Sequence, residues 1–229
     1  MYLSKKRNYS TRVKLLAFVP LFLLLVAVLW QYEVVCNFGG TLSNPASLKT
    51  FVDAWIPFNI YIIYPYLLCL WYLPFSGILF AFNRRMSVIQ VVSFYLSAIL
   101  IWASCYVVYL IFPTTAQGVM ISSFDPLVLN MGMFQALQSL YTASTPLGDF
   151  PSLHVAPLVF MGLFLYKQWR SFFWLFLPFA FFGAAGTVLL KFHTLAGLLG
   201  GAAMGVFGYY VLYERVVLPY LTKTFLKRG

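Results

Sequence analysis

The sequence predicts an all-α, polytopic membrane protein with six transmembrane helices and a short interfacial or re-entrant helix between the third and the fourth. Hydrophobic residues make up 62% of the chain and charged residues only 9%, whereas soluble domains average about 25% charged residues. Several apolar stretches reach the ~20 residues that cross a ~30 Å hydrocarbon core. The basic residues lie in short clusters between these stretches, as expected of loops that fix membrane topology.

Apolar runs and turn signals set the predicted boundaries within a single membrane domain, residues 1–229. The six helices are predicted at residues 15–30, 56–80, 87–112, 151–166, 171–190 and 194–213. A basic start before an apolar run also suits a secretory signal. No convincing cleavage site follows Trp30 and further spans come later, so we interpret this run as a retained first helix. Residues 33–55 are predicted to be a polar loop, because Gly39-Gly40 and Asn44-Pro45 are turn signals.

The longest segment outside the predicted spans is residues 113–149. Within it, residues 126–142 place apolar side chains three and four positions apart, which is typical of a helix. This piece is too short and too mixed in polarity to cross a membrane, so we predict that it lies at the interface or re-enters the membrane. It would be either a lid over a site or a loop that rests on the surface, and the sequence leaves both open.

The distribution of basic residues predicts the orientation of the chain. With six helices, thirteen of the fifteen Lys and Arg residues fall on one side, and only Lys49 and Lys191 fall on the other. The positive-inside rule then places both termini in the cytoplasm. Both histidines, His154 and His193, fall on the outer, periplasmic or lumenal, face together with Asp149. Among membranes with this orientation, we expect a bacterial inner membrane.

The composition argues against other classes of site and partner. The net charge of +10 would also suit nucleic-acid binding. However, the basic residues lie in clusters between apolar runs, where they fix the membrane topology. We therefore expect no nucleic acid as a partner. Cys36, Cys69 and Cys105 have no ligand spacing, and two histidines without a carboxylate cluster make a poor metal site. We therefore predict no metal and no cofactor, with a membrane lipid as the partner; the sequence does not fix the oligomeric state.

The two histidines are the candidate catalytic residues. Titratable groups at a membrane boundary are costly unless they serve a function. Two imidazoles on one face permit phosphoryl transfer in two steps: one attacks phosphorus, and the other protonates the leaving oxygen. Lys191 could neutralise phosphate oxygens as a point charge. An orienting carboxylate would come from Asp149, with Asp53 as a more distant substitute.

The stretch Pro151-Ser152-Leu153-His154 resembles the Pro-Ser-Gly-His motif of the type 2 phosphatidic acid phosphatases. Leucine in third place is similar to their inositol phosphorylceramide synthase branch, and residues 55–210 resemble that branch in helix order. The resemblance implies a membrane enzyme acting on lipid phosphates, with His193 as the nucleophile and His154 as the acid. Lys191 is similar to a lysine often found in that branch.

The same comparison exposes departures from the family pattern. Gly186-Thr187 stand where the third motif has Ser-Arg, and Gly197 stands where it has its aspartate. The first motif, with its lysine and arginine, has no counterpart, and residues 113–149 contain no Lys or Arg. The remaining predicted substrate-binding residues are Lys191, Ser152, Asp149 and Thr187.

Structural explanations for single residues stay open beside these roles. His154 could be an interfacial histidine bonded to a backbone carbonyl, and Lys191 could be an anchor whose ammonium reaches lipid headgroups. Asp149 could cap the fourth helix. Gly197, Gly201 and neighbouring small residues recur at a spacing that suits close helix packing.

Two hypotheses of different class follow. The first is a lipid phosphate phosphatase or headgroup phosphotransferase that acts at the outer face through a phosphohistidine intermediate. The alternative is a catalytically degenerate relative that binds or transports lipid or supports a membrane complex, because the motif aspartate and arginine are absent. A membrane protein unrelated to this family is a third possibility.

Overall fold

The protein is described by a computed structural model that covers residues 11–42, 44–83, 86–117, 119–120, 132, 135, 137–139 and 147–226. Its helices are α1 (Thr11–Trp30), α2 (Tyr32–Leu42), α3 (Phe51–Trp55), α4 (Ile63–Phe82), α5 (Val88–Ile111), α6 (Val155–Gln168), α7 (Arg170–Leu189), α8 (Leu195–Phe207) and α9 (Leu218–Leu226). A 3-10 turn, Ile60–Ile62, precedes α4, and a π-helical stretch, Gly208–Val217, joins α8 to α9. Two short parallel strands, β1 (Ala46–Ser47) and β2 (Thr114–Thr115), pair with each other.

The prediction of an all-α protein with helices suited to a membrane is confirmed. Among the described residues, four helical runs are long and apolar enough to cross a membrane: Thr11–Thr41, Val88–Ile111, Arg170–Leu189 and Leu195–Phe225. The 20-residue α4 and the shorter apolar α6 stand where the other two spans are predicted. At about 1.5 Å per residue, the 14 residues of α6 reach only about 21 Å. The count of six spans therefore stays a prediction.

The polar loop predicted for residues 33–55 is wrong for much of its length, because α2 and α3 occupy part of it. Gly39, which the sequence predicts in a turn, lies inside α2. A Cβ atom there would come within 2.5 Å of the carbonyl oxygen of Tyr109 on α5. The glycine therefore serves close packing between α2 and α5 rather than a turn.

Several helix boundaries differ from the predicted ones for local reasons. The predicted start of the second helix at residue 56 moves to Ile63, because the Asn59 side chain accepts from Tyr61 N and starts the 3-10 turn first. The fourth helix begins at Val155 rather than residue 151, and Pro151 lies in the preceding segment. The sixth helical run continues past the predicted end at residue 213 to Leu226.

The third helix was predicted closely because its start is marked in the sequence. Ser87 caps α5 and accepts from Gln90 N, while the Gln90 side chain accepts from Ser87 N. This reciprocal pair satisfies two backbone donors at the helix start. The interfacial helix predicted at 126–142 lies largely outside the described residues; within it, residues 137–139 are helical.

The core lies between α5, α6 and the π-helical stretch and is built from aromatic side chains. Phe94 of α5 contacts Phe160 and Phe164 of α6, with ring centroids 4.8 and 4.6 Å apart. Tyr213 of the π-helical stretch packs edge-on against Phe164. Outside this core, α8 and α7 pack on α6, and α4 packs on α7. This packing brings the start of α6, the start of α8 and the first turns of α4 to one end of the bundle.

The packing of α8 against α6 depends on glycine. A Cβ atom on Gly201 would lie 2.6 Å from the carbonyl oxygen of Ser152, and one on Gly205 would meet the carbonyl of Ala156. Both distances are too short for an alanine without movement of the backbone. The predicted seam of small residues on the sixth helix is therefore a contact surface between α8 and the start of α6.

Candidate active site

Residues 147–154, here called the histidine segment, carry Asp149 and His154 and are held at several points by neighbouring helices. The Thr114 side chain accepts a hydrogen bond of 2.8 Å from Phe150 N. The hydroxyl of Tyr109 donates a 2.6 Å hydrogen bond to the Pro151 carbonyl. These contacts tie the segment to the end of α5, so the two site residues have a fixed place relative to the bundle.

His193 lies in the tight corner between α7 and α8. The Thr187 carbonyl accepts from the backbone N–H groups of both Phe192 and His193, each at 3.0 Å. Thr194 then caps α8, because its side chain accepts from Gly197 N. The corner therefore turns the chain at the end of α7 and presents the His193 ring toward the histidine segment.

The two imidazoles and one carboxylate form a continuous chain of polar contacts. His154 Nδ1 lies 3.1 Å from His193 Nε2. On its other side, His193 Nδ1 lies 3.0 Å from the Asp149 carbonyl oxygen and 3.3 Å from its carboxylate oxygen Oδ1. Asp149 and His193 are almost fully buried, whereas His154 is partly buried. The structure thus brings together the three residues that the sequence placed on one face.

Asp149 is anchored on Thr194 as well as on His193. Its two carboxylate oxygens accept from Thr194 N at 2.8 Å and from the Thr194 hydroxyl at 2.6 Å. The residue at the capping position of α6 is His154 instead. Asp149 therefore does not cap the fourth helix; its carboxylate binds Thr194, which caps the sixth helix, and lies beside His193.

Gly197 explains how a carboxylate from another segment reaches His193. A Cβ atom on Gly197 would lie 2.6 Å from Asp149 Oδ1 and closer still to the Asp149 carbonyl oxygen. The Ser152 N–H also donates to the Gly197 carbonyl, at 2.9 Å. Gly197, at the position where the third motif of the phosphatases has aspartate, thus has no side chain, and Asp149 occupies the space beside it.

Burial and hydrogen bonds set the protonation states at the site. Burial of Asp149 opposes its ionisation, but hydrogen bonds from His193 and Thr194 and the charge of His193 hold its pKa below the usual value. Burial of His154, with His193 close by, lowers its pKa to about 3. At neutral pH the site therefore contains an ionised carboxylate and a neutral His154.

Lys191 contacts backbone groups. Its ammonium donates to the carbonyl oxygens of Asp53 and Ile56, at 3.0 and 2.6 Å. The residue itself has φ of +62°, in the left-handed region. Asp53, which the sequence offered as a distant substitute carboxylate, accepts from Leu195 N at 2.6 Å. Lys191 and Asp53 thus link α3 to the corner that carries His193.

The described hydrogen bonds of Ser152 and Thr187 also run to backbone groups. The Ser152 hydroxyl accepts from Val155 N at 3.4 Å, at the start of α6. The Thr187 hydroxyl donates to the Ala184 carbonyl at 2.7 Å. Both side chains are fully buried. Their contacts position the ends of α6 and α7, and a role in binding substrate stays a prediction.

Tyr66 is a neighbour of the site that the sequence did not single out. Its hydroxyl lies 3.4 Å from His154 Nε2, and the side chain is buried. Tyr66 belongs to α4, and Tyr61, Tyr64 and Tyr72 lie close to it along the chain. Nothing in its spacing distinguishes it from these tyrosines, so only the packing of α4 on α7 identifies it.

Within the described residues, no group of three His, Cys, Asp or Glu side chains is arranged to hold a metal ion. Comparisons with protein-family models, with curated proteins and with solved structures find no match to this chain.

Proposed function

We propose that the protein is an integral-membrane phosphatase or phosphotransferase that acts on a lipid phosphate through a phosphohistidine on His193. The observation that carries this proposal is the chain of contacts from Asp149 through His193 to His154. A carboxylate that orients an imidazole and stabilises its charged form is the arrangement used to activate histidine in enzymes. The resemblance of residues 151–154 to the phosphatase motif supports the same chemistry.

The reaction proceeds in two balanced steps. In the first, His193 Nε2 attacks phosphorus, the bond from phosphorus to the lipid oxygen breaks, and that oxygen takes a proton from His154. In the second, water or an alcohol gives its proton to His154 while its oxygen attacks the phosphohistidine, which releases phosphate or a new phosphoester. Asp149 accepts from His193 Nδ1 throughout and stabilises the positive charge on that ring.

The closeness of the two rings implies movement when substrate binds. His193 Nε2 and His154 Nδ1 are 3.1 Å apart. A phosphate between them needs ~3–3.5 Å from its phosphorus to the attacking nitrogen alone before a bond forms, so the present gap is too small to hold it. A phosphate must therefore enter between these nitrogens and replace their hydrogen bond. Its negative charge raises the pKa of His154, so the acid acquires its proton as the substrate arrives.

The site is assigned to the outer membrane face, with both termini in the cytoplasm. His154 and His193 precede α6 and α8, whereas Lys167 and Arg170 lie at the opposite end of α6. The positive-inside rule supports this assignment, and a bacterial inner membrane is the setting that we favour. Cysteines placed at exposed Lys49 and Lys223, in a chain otherwise free of cysteine, test it: an impermeant maleimide is expected to label only the Lys49→Cys protein in intact cells.

The function is tested by turnover of a panel of lipid phosphates and phospholipids by the purified protein in detergent. We expect His154→Asn and His193→Asn each to abolish release of phosphate or headgroup. Gln168→Ala is the matched control, because it removes a polar contact with Gln90 at the other end of α6. Turnover that survives His193→Asn would exclude this residue as the nucleophile.

A catalytically degenerate lipid-binding protein is the second candidate. Two features favour it: the histidine rings contact each other directly, and the Lys191 ammonium already contacts two carbonyl oxygens. This candidate predicts saturable binding of a lipid phosphate by wild-type protein with no release of phosphate or headgroup. Measuring lipid binding and turnover on the same preparation distinguishes the enzyme from the lipid-binding protein.

A further inference from the structure

Tyr66 is held rigidly next to His154. Its ring stacks on Phe192, with centroids 5.4 Å apart and planes at 11°. On the α7 side, a Cβ atom on Gly186 would lie 3.1 Å from Tyr66 Cβ, so the backbone of α7 closely approaches the ring. The side chain is only 3% exposed. These contacts fix the direction of the hydroxyl toward His154 Nε2.

The polar chain has one self-consistent arrangement of protons when both rings are neutral. Ionised Asp149 only accepts, so His193 Nδ1 must carry a proton and Nε2 must carry a lone pair. His154 Nδ1, 3.1 Å from that lone pair, must therefore be protonated. This leaves a lone pair on His154 Nε2, 3.4 Å from the Tyr66 hydroxyl.

We propose that Tyr66 is a positioning residue for His154. Its hydroxyl donates to His154 Nε2 and keeps the His154 proton on Nδ1, the nitrogen that faces His193. A hydroxyl both donates and accepts, so the same group accepts from Nε2 once the ring is protonated. Tyr66 thereby holds one ring orientation in both protonation states.

The catalytic consequence rests on the proposed function. With a phosphate between the rings, His154 Nδ1 is the donor that faces the leaving oxygen. The ring is then protonated on both nitrogens, and without the Tyr66 hydroxyl to accept from Nε2 it can rotate and turn Nδ1 away from that oxygen. Protonation matters for an alkyl alcohol, a poor leaving group, and much less for a nitrophenol. The loss is therefore expected to depend on the leaving group, which a general loss of folding would not produce.

The arrangement of protons is measurable because the chain has only two histidines. Protein labelled with ¹⁵N-histidine gives four ring nitrogen signals, which His154→Asn and His193→Asn assign. At pH 7.5 we expect both wild-type rings to be protonated on Nδ1. In Tyr66→Phe the His154 Nε2 signal is expected to move. Tyr106→Phe is the control, since its hydroxyl donates to the Val28 carbonyl instead.

Kinetics on the same variants supply the second readout. For a lipid phosphate, we expect Tyr66→Phe to lower kcat about fivefold to tenfold, the effect of one hydrogen bond, with KM little changed and nitrophenyl phosphate turnover retained. A wild-type His154 protonated on Nε2, or signals unmoved in Tyr66→Phe, would overturn the proposal. If the NMR results hold while no protein turns over any substrate, the proposed function fails and the positioning by Tyr66 stands.

Discussion

Asp149 connects the histidine segment to the corner before α8 through one buried side chain. Its carboxylate lies beside His193 Nδ1 and accepts two hydrogen bonds from Thr194. An ionised carboxylate with these partners accepts from His193 Nδ1 and so keeps the ring in one orientation. At the residue scale, the structure thus places a buried carboxylate beside the ring that we propose as the nucleophile.

Asp149→Asn tests this role with a nearly unchanged shape. The asparagine oxygen still accepts from Thr194 N, but the negative charge beside His193 is lost. We expect kcat to fall by about 100-fold or more, as when the carboxylate of a catalytic triad is neutralised. Thermal unfolding in detergent checks that the fold is intact. Wild-type turnover in Asp149→Asn would exclude Asp149 from the mechanism.

Burial of His154 makes the free energy of unfolding depend on pH. Unfolded, its imidazole takes up a proton below its ordinary pKa of 6.5, whereas the folded ring stays neutral down to about 3. Its contribution to stability is therefore complete above pH 6.5 and is lost progressively as the pH falls toward 3. Between pH 6.5 and 5 we expect a loss of up to about 2 kcal/mol.

The measurement is the unfolding temperature in detergent at several pH values, for wild-type protein and for His154→Asn. Asparagine retains a donor but does not titrate in this range. The wild-type unfolding temperature should fall more steeply with acid than that of the variant. Parallel curves for the two proteins would show that His154 is not buried as a neutral group.

The residues of the site differ in how far the sequence could predict them. His154 and His193 were predictable because titratable groups are rare in this chain and charge counting put both on one face. The link between Asp149 and Gly197 was not predictable in detail, since it depends on the space left by a missing Cβ atom. Tyr66 was missed because its position beside His154 depends on a contact between distant helices.

At the scale of elements, the contact of α8 with the start of α6 determines the geometry of the site. α8 follows His193, and α6 follows His154, so a displacement between these helices changes the distance between the rings. The close approach rests on Gly201 and Gly205, which face backbone carbonyls of the histidine segment and α6. Small residues at such positions allow helices in membranes to pack by direct contact.

Gly201→Ala is expected to destabilise the protein and to reduce turnover. The new methyl group would lie 2.6 Å from the Ser152 carbonyl oxygen, so α8 must move. Overpacking of this kind costs about 1–3 kcal/mol. Gly162→Ala in α6 is the matched control, because its methyl group would meet Phe176 at an ordinary 3.9 Å. Equal unfolding temperatures for the two variants would contradict the packing argument.

The elements were predicted best where the sequence marks both ends. Ser87 and Gln90 define the start of α5, and Pro113 follows shortly after its end. Prediction failed for α2, because Gly39-Gly40 signals a turn locally while the tertiary contact with Tyr109 makes it part of a packed helix. Tertiary packing, which local sequence does not contain, decided that case.

At the scale of the whole molecule, the described residues form an apolar helical bundle with a polar cluster at one end. The four helical runs with the length and composition of membrane spans account for most of the described chain. Asp149, His193 and His154 meet where the histidine segment and the corner before α8 approach each other. The bundle therefore brings His193 into contact with Asp149, which is 44 positions away in the sequence, and with His154, which is 39 positions away.

The central claim is that this cluster transfers a phosphoryl group through His193. The most direct test is to mix purified protein with a lipid phosphate labelled at phosphorus, quench in alkali, where phosphohistidine survives, and map the label by mass spectrometry. We predict label on His193 that appears within the first turnover and is absent from His193→Asn. Steady turnover without label on His193, or label on His154 instead, would contradict the account.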